Sequence, residues 1–260
     1  KEQRVLLGRE EAKTTILDRL EEFLKKHTGG EDLGLRLRGE QLATGVRFVR
    51  MLREETYHLV VGNPPYQGTG KIAEAAYVQG NYSEGKSDLY AAFLQRGLQL
   101  VRAGGVSAWV TMRNWMFIKQ YAALRKELLT KFELRLLGDL NSGAFEEISA
   151  AQVVVSVVMS VFRRAMPLDD TESVAVRPFA DATVLHVGET HRKRATLLAQ
   201  ANRYRFSQSG LRRIKGTPVV YWWTQGFVDV YASRPKLGEV TQMATAQSTG
   251  DNVRYRRVPW

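Results

Sequence analysis

Asn63, Pro64, Pro65 and Tyr66 carry the parts needed to grip a planar amino group by its hydrogens while stacking on the ring that bears it. An exocyclic amino nitrogen conjugated to a purine is a poor nucleophile, because its lone pair is delocalised into the ring. Two acceptors aimed at its hydrogens favour the pyramidal geometry from which it can attack a methyl electrophile. Acceptors set in advance where charge develops are the usual form of electrostatic catalysis. Asn63 offers a side-chain carbonyl and Pro64 a backbone carbonyl. The prolines fix φ and carry no N–H, and each keeps the residue before it out of the α region. The segment is therefore extended and stiff. Tyr66 adds an aromatic face, and base–aromatic stacking is worth roughly 1–3 kcal/mol. A base inside a duplex must first leave the stack to reach such a group. Without that chemistry, the same tetrapeptide is a proline-rich turn opened by Asn63.

Such a segment needs a rigid strand behind it, and Tyr57–Gly62 reads as one. Residues 67–86, rich in glycine and polar side chains, read as a mobile loop. Leu89–Arg102 reads as a helix, capped by Ser87 or Asp88 and stopped by Gly104-Gly105. Val106–Thr111 is an expected strand, Gln120–Thr130 a helix, Glu133–Leu140 a strand, and Gln152–Arg163 a strand or two joined by a turn. This alternation predicts a parallel α/β sheet. The last two strands have no helix between them, so a hairpin should add an antiparallel edge strand. Upstream, Glu10–His27 has helical spacing of Ile16, Leu17, Leu20, Phe23 and Leu24, and Gln41–Glu55 reads as a second helix. Downstream, 174–187 suits a strand, His191–Asn202 a helix carrying Arg192, Lys193 and Arg194, and 219–223 a strand. Asp139 ends a strand, where α/β sites gather, or simply begins a turn. Lys86 and Arg113 could meet phosphates, although solvated surface is their plainer reading. Trp222 and Trp223 divide between core and nucleic-acid contact. The four histidines are scattered and form no metal set.

Residues 57–162 resemble adenine-specific DNA methyltransferases of the class with an Asn-Pro-Pro-Tyr signature. Six blocks carry the resemblance in order: the strand with Asn63–Tyr66, Ser87–Leu94, Ala103–Thr111, Tyr121–Leu129, Leu134–Phe145, and Ala151–Phe162. It implies a Rossmann-like methyltransferase fold and S-adenosylmethionine as methyl donor. It also implies that Asn63 and Pro64 accept from the target amino group, held by the stiff Pro65. Tyr66 would stack on the flipped adenine, Phe145 would form a second aromatic wall, and Phe93 would pack on the cofactor adenine. Read from spacing alone, Phe93 instead belongs to the apolar face of Leu89, Leu94, Leu98 and Val101, and Phe145 is a loop anchor. The flanks, among them Gly39–Phe48, Ile214–Trp222 and Ser248–Asn252, are similar to the large adenine methyltransferases of bacterial BREX phage-exclusion systems, the PglX family. Single-chain restriction–methylation enzymes share the last two blocks.

The resemblance has a gap. The family's glycine-rich cofactor turn lies upstream of the signature, and nothing between Lys1 and His58 fits it. The chain is expected to be an internal piece of a longer enzyme: a helical lead-in over 1–56, the catalytic half over 57–165, and a basic extension over 166–260 leading to a DNA target-recognition domain. Charge placement agrees with a polyanion partner. Residues 192–260 hold 13 basic and 3 acidic side chains against 25 and 24 in residues 1–191, so nearly all of the net +11 sits in the last quarter. Clustering of this kind is the electrostatic footprint of nucleic acid, here double-stranded DNA. The absence of cysteine excludes disulfides and thiolate zinc sites. No apolar run is long enough to span a bilayer, and a bacterial cytoplasmic setting with other phage-defence proteins as partners is the expectation. Two other readings stay open. One is methylation of a protein glutamine amide, which poses the same nitrogen problem. The other is a DNA-binding or assembly module without catalysis.

Overall fold

Six strands, β1 (Tyr57–Gly62), β2 (Val101–Met112), β3 (Glu133–Asn141), β4 (Val157–Arg163), β5 (Glu172–Val176) and β6 (Arg203–Ser207), form one mixed sheet in the order β1-β2-β4-β3-β5-β6. The computed structural model describes residues 18–20, 22, 33–145, 155–178 and 190–241. The helices are α1 (Leu33–Met51), α2 (Ala75–Asn81), α3 (Leu89–Leu100), α4 (Ala122–Lys131), α5 (Thr190–Leu198), α6 (Gln208–Arg212), α7 (Gln225–Ser233) and α8 (Leu237–Val240). Strand β2 runs parallel to β1, and β3 runs parallel to β5. Strand β4 is antiparallel to both β2 and β3, and β6 is antiparallel to β5. The α/β fold expected from the alternation is present, and most predicted elements fall within a few residues of their places. The expected helix Glu10–His27, most of 177–187 and the block Ser248–Asn252 lie outside the described residues.

The hairpin of β3 and β4 forms, but β4 is not an edge strand. It is inserted between β2 and β3, with Val157, Val158, Ser160 and Phe162 all fully buried. It is hydrogen-bonded on both sides, to β2 and to β3, and the face carrying Val158, Ser160 and Phe162 is wholly buried. Gly104-Gly105 does not stop a helix either. Helix α3 ends at Leu100 and β2 begins at once. Gly104 sits at φ 73°, and the β1–β2 register jumps from Tyr57↔Val101 to Leu59↔Val106. A Cβ on Gly105 would come within 3.0 Å of the Tyr57 carbonyl oxygen, so the glycine pair makes a bulge where two strands approach closely. Residues 67–86 are not a simple loop. They hold a 3₁₀ turn over Thr69–Lys71 and helix α2, which buries Val78. Residues 219–223 form no strand: Val219, Val220 and Tyr221 are buried as an irregular segment, anchored by the Val219 amide donating to the Met116 carbonyl at 2.9 Å. Strand β6, with Tyr204 and Phe206 on alternate positions, has no counterpart among the expected elements.

The sheet and its core cross residue 165 without a break. Phe206, Leu211, Ile214, Val219 and Tyr221 belong to the same buried cluster as Leu94, Trp115, Leu128 and Phe162. Arg125 of α4, 2% exposed, ties the halves together. Its guanidinium donates to the carbonyls of Trp115 and Ile118 at 2.8 and 2.7 Å and to that of Gly216 at 2.8 Å. Burial lowers its pKa to about 10, which leaves it charged at neutral pH. Among the described residues, no helix is long and apolar enough to cross a membrane.

Candidate active site

Strands β1, β2, β3 and β5 point the same way, so their carboxyl ends share one edge of the sheet. In open α/β sheets this edge is where ligands bind. Asn63 leaves it directly from β1. The residue before it, Gly62, must be glycine: Trp109 of β2 lies against it and against Gly97 of α3. A Cβ at Gly62 or Gly97 would stand 2.2 or 2.4 Å from the indole. The indole N–H donates to the Ser107 hydroxyl at 2.6 Å, which fixes the ring. The wedge thus sets the angle at which β1 delivers the signature to the edge.

Within the signature, Asn63 is exposed, Pro64 buried, Pro65 exposed and Tyr66 half-buried. The Tyr66 hydroxyl donates toward the Val110 carbonyl at 3.3 Å and lies 3.4 Å from the Asn63 side-chain oxygen. Its ring meets Tyr90 edge-on, with centroids 6.2 Å apart. Burial pushes the Tyr66 phenol up to about 12, so it is a neutral donor at ordinary pH. The next residues are pinned to the start of α3. Asp88 caps that helix by accepting from the Tyr90 amide at 3.2 Å, and the same oxygen accepts from the Gln67 amide at 3.1 Å. Burial raises the Asp88 pKa, and the amides of Tyr90, Gln67 and Leu89 oppose that rise. The signature is therefore held at both ends, with Asn63 facing solvent.

Phe93 is 42% exposed on α3, beside Trp109 at 6.2 Å between ring centroids. The neighbours with which it shares the apolar face, Leu94, Leu98 and Val101, are buried. Phe93 is thus the aromatic that the helix leaves uncovered. Next to it, β1 has a sheet neighbour on one side only among the described residues. Leu59 and Val61 of this strand are 57% and 69% exposed. An unpaired apolar edge strand of this kind is ordinarily covered by further polypeptide.

Phe145 is half-buried, four residues beyond the end of β3. Strands β2 and β4 lie between β3 and β1, a span of about 14 Å at roughly 4.8 Å per step. The tetrapeptide and the loop that carries Phe145 therefore leave the same edge from strand ends about 14 Å apart. Between them stands a group whose members the sequence offers only as weak, separate candidates. Asp139, fully buried, accepts from Arg113 through two guanidinium nitrogens at 2.7 and 2.8 Å and from the Tyr221 hydroxyl at 2.7 Å. Arg113 also stands 4.7 Å over the Phe117 ring. It is an ion-paired edge residue rather than solvated surface. Burial, and then the Asp139 charge, raise the Tyr221 pKa strongly. Spacing could not reveal this trio, because Tyr221 is 82 residues from Asp139.

The profile of the Eco57I restriction-modification methylase family matches residues 3–145, more than half of the chain. The protein belongs to the Eco57I methylase family. Similar relatives include the adenine-specific methyltransferase BrxX of Escherichia coli O9:H4 (strain HS), 32% identical over 189 residues. That alignment covers 71% of this chain and 15% of the relative. The adenine-specific methyltransferase PglX of Lacticaseibacillus casei (strain Zhang) is 27% identical over 209 residues, covering 77% of this chain and 17% of the relative. A solved type I restriction–modification system is 18% identical with a TM-score of 0.48, covering 64% of this chain and 37% of that one. The chain therefore spans less than a fifth of the length of these two curated relatives.

The Eco57I match ends at Phe145, and the +10 balance lies beyond it. Several of those cations are already engaged. Arg205 pairs with Glu172, Arg212 with Asp169 and Arg213 with Asp229, and Lys193 is 2% exposed. The basic excess is partly structural, so net charge overstates the surface left for a polyanion.

Proposed function

We propose that this chain is the catalytic portion of a DNA adenine-N6 methyltransferase in bacterial phage defence of the BREX kind or in restriction–modification. One observation carries the reading: in a chain of a methylase family, the signature asparagine stands exposed at the carboxyl edge of the sheet, on a segment fixed at both ends. Asn63 and the Pro64 carbonyl accept the two hydrogens of an extruded adenine's amino group, and Pro65 keeps the segment stiff. Tyr66, held by the Val110 carbonyl, offers its ring to the base. As the nitrogen attacks, its developing positive charge is stabilised by these two oxygens. S-adenosylmethionine supplies an activated methyl on its sulfonium, and transfer needs no covalent enzyme intermediate.

The described residues fit that cofactor in part. Phe93 provides an uncovered ring suited to an adenine, next to the open edge of β1. A glycine-rich turn would come from polypeptide that pairs along that edge and covers Leu59 and Val61. Phe145 forms the far aromatic wall of the base site, on the loop after β3. The DNA duplex is held by the region after residue 166 together with a target-recognition part of the whole enzyme, in the bacterial cytoplasm.

The other two readings gain nothing from the structure. The relatives are named for adenine rather than for protein amides, and an inert assembly module has no use for an exposed, stiffened asparagine. The deciding experiment incubates the intact methyltransferase with S-adenosylmethionine and DNA, then hydrolyses the DNA and measures nucleosides by mass spectrometry. N6-methyladenine is the expected product. Methylglutamine in a protein substrate, with unmodified DNA, would overturn the assignment.

A further inference from the structure

We infer that Lys193 is a positioning residue for the base site, acting through the loop that carries Phe145. By sequence it sits in a basic run with Arg192 and Arg194, the natural place for a phosphate contact. Its side chain does the reverse. It is 2% exposed, and its ammonium donates to the carbonyl oxygens of Leu140, at 3.0 Å, and Ser142. A buried ammonium is costly unless its donors are taken up, and it has three to place. Carbonyls turned inward from one short stretch of chain are suitable acceptors.

That stretch has the form such turning requires. Asn141 lies at φ 53° and Gly143 at φ 69°, so two residues in four leave the ordinary backbone regions. The Asn141 side-chain oxygen accepts from the Ser156 hydroxyl at 3.0 Å. Helix α5 is seated closely on this end of β3: a Cβ at Gly138 would already touch the Leu197 side chain at 3.4 Å. At the start of α5, the Thr190 hydroxyl reaches toward the Gly143 carbonyl at 3.5 Å. Lys193 and Thr190 together hold the carbonyls of Leu140, Ser142 and Gly143, and Phe145 follows two residues later. The backbone that leads to Phe145 is thus held from the carboxyl-terminal half of the chain, the same half that supplies Tyr221 to Asp139. A shift of about 1 Å in a positioning group can cost on the order of 100-fold in rate, so the ammonium has leverage on base placement without touching the base.

This inference rests on the adenine methyltransferase reading. Its test uses the intact enzyme, with 2-aminopurine at the target position as a fluorescent report of extrusion. In Lys193→Met the expected result is a loss of the extrusion signal and a fall of about tenfold or more in kcat, with KM for S-adenosylmethionine unchanged. Phe145→Ala should do the same, and the double variant should be no worse than the worse single one, because both act through one loop. Where the methionine variant does not fold, Lys193→Arg replaces it in the cycle; it keeps the charge and displaces the donors. Unchanged extrusion, strictly additive effects with Phe145→Ala, or an equal loss of cofactor and DNA parameters would each overturn the role of Lys193. If the wild-type enzyme makes no N6-methyladenine, the underlying reading fails instead, and the two failures are told apart by that single control.

Discussion

The two sides of the sheet edge treat polar groups in opposite ways. At the end of β1, Asn63 is exposed, and among the described residues its side-chain oxygen has only a long contact to Tyr66. At the end of β3, Asp139, Arg113, Tyr221 and Lys193 are drawn inward, and each is taken up by another group of the protein. A carboxylate and an ammonium buried so close to a site invite a catalytic reading. Their partners argue against it: Asp139 accepts three hydrogen bonds and has little capacity left for a substrate proton. The proposed chemistry uses the end where Asn63 faces solvent, and the end with satisfied ions is structural.

Exchanging the two ends by mutation sharpens the contrast. Asn63→Ala in the intact enzyme should lower kcat by about 10²–10³-fold, the usual loss for one preorganised polar group, while its urea midpoint stays put; methylation rate and denaturation on the same preparation check both. Asp139→Ala should do the opposite. Removing one partner of a buried pair costs about 3–5 kcal/mol, and since Arg113 retains some solvent access the lower figure is expected in urea unfolding. A stable Asp139→Ala protein with abolished methylation would break the comparison. Phe93→Ala should weaken S-adenosylmethionine binding about tenfold, the lower range of a lost stacking contact, as read by calorimetry. Its melting temperature should fall less than on truncating a fully buried ring, because Phe93 is 42% exposed.

The smallest effect concerns pH. The Tyr66 phenol is raised by burial from 10.0 to about 12, so the folded state keeps a proton that the unfolded chain loses. Its contribution to stability is whole below pH 10 and fades as pH climbs from 10 through about 12. Tyr66→Phe should therefore flatten part of the alkaline limb of an unfolding curve. An unchanged limb would show that the hydroxyl is not buried as described.

Much of the fold was legible because its strands and helices carry distinct periods, and the signature was legible because it is contiguous. What escaped has a physical reason in each case. The central position of β4 depends on pairing partners that local pattern does not encode. Gly104-Gly105 has the composition of a helix stop, yet it serves a bulge forced by the nearness of Tyr57. Lys193 looks like a surface cation because sequence records charge and not direction. The Asp139 group joins residues on three distant elements, and only packing brings them together. Gly62 could have been suspected from its place before Asn63, but the indole that requires it is contributed by another strand.

Arg125 reaches from α4 to Gly216, and that grip limits how such enzymes can diversify. A crossover that joined the first 165 residues of one lineage to the remainder of another would leave a buried guanidinium facing carbonyls shaped for a different neighbour. Joints tolerated by recombination should therefore lie downstream of Tyr231, since Val228 is buried in the same core and Tyr231 packs against it.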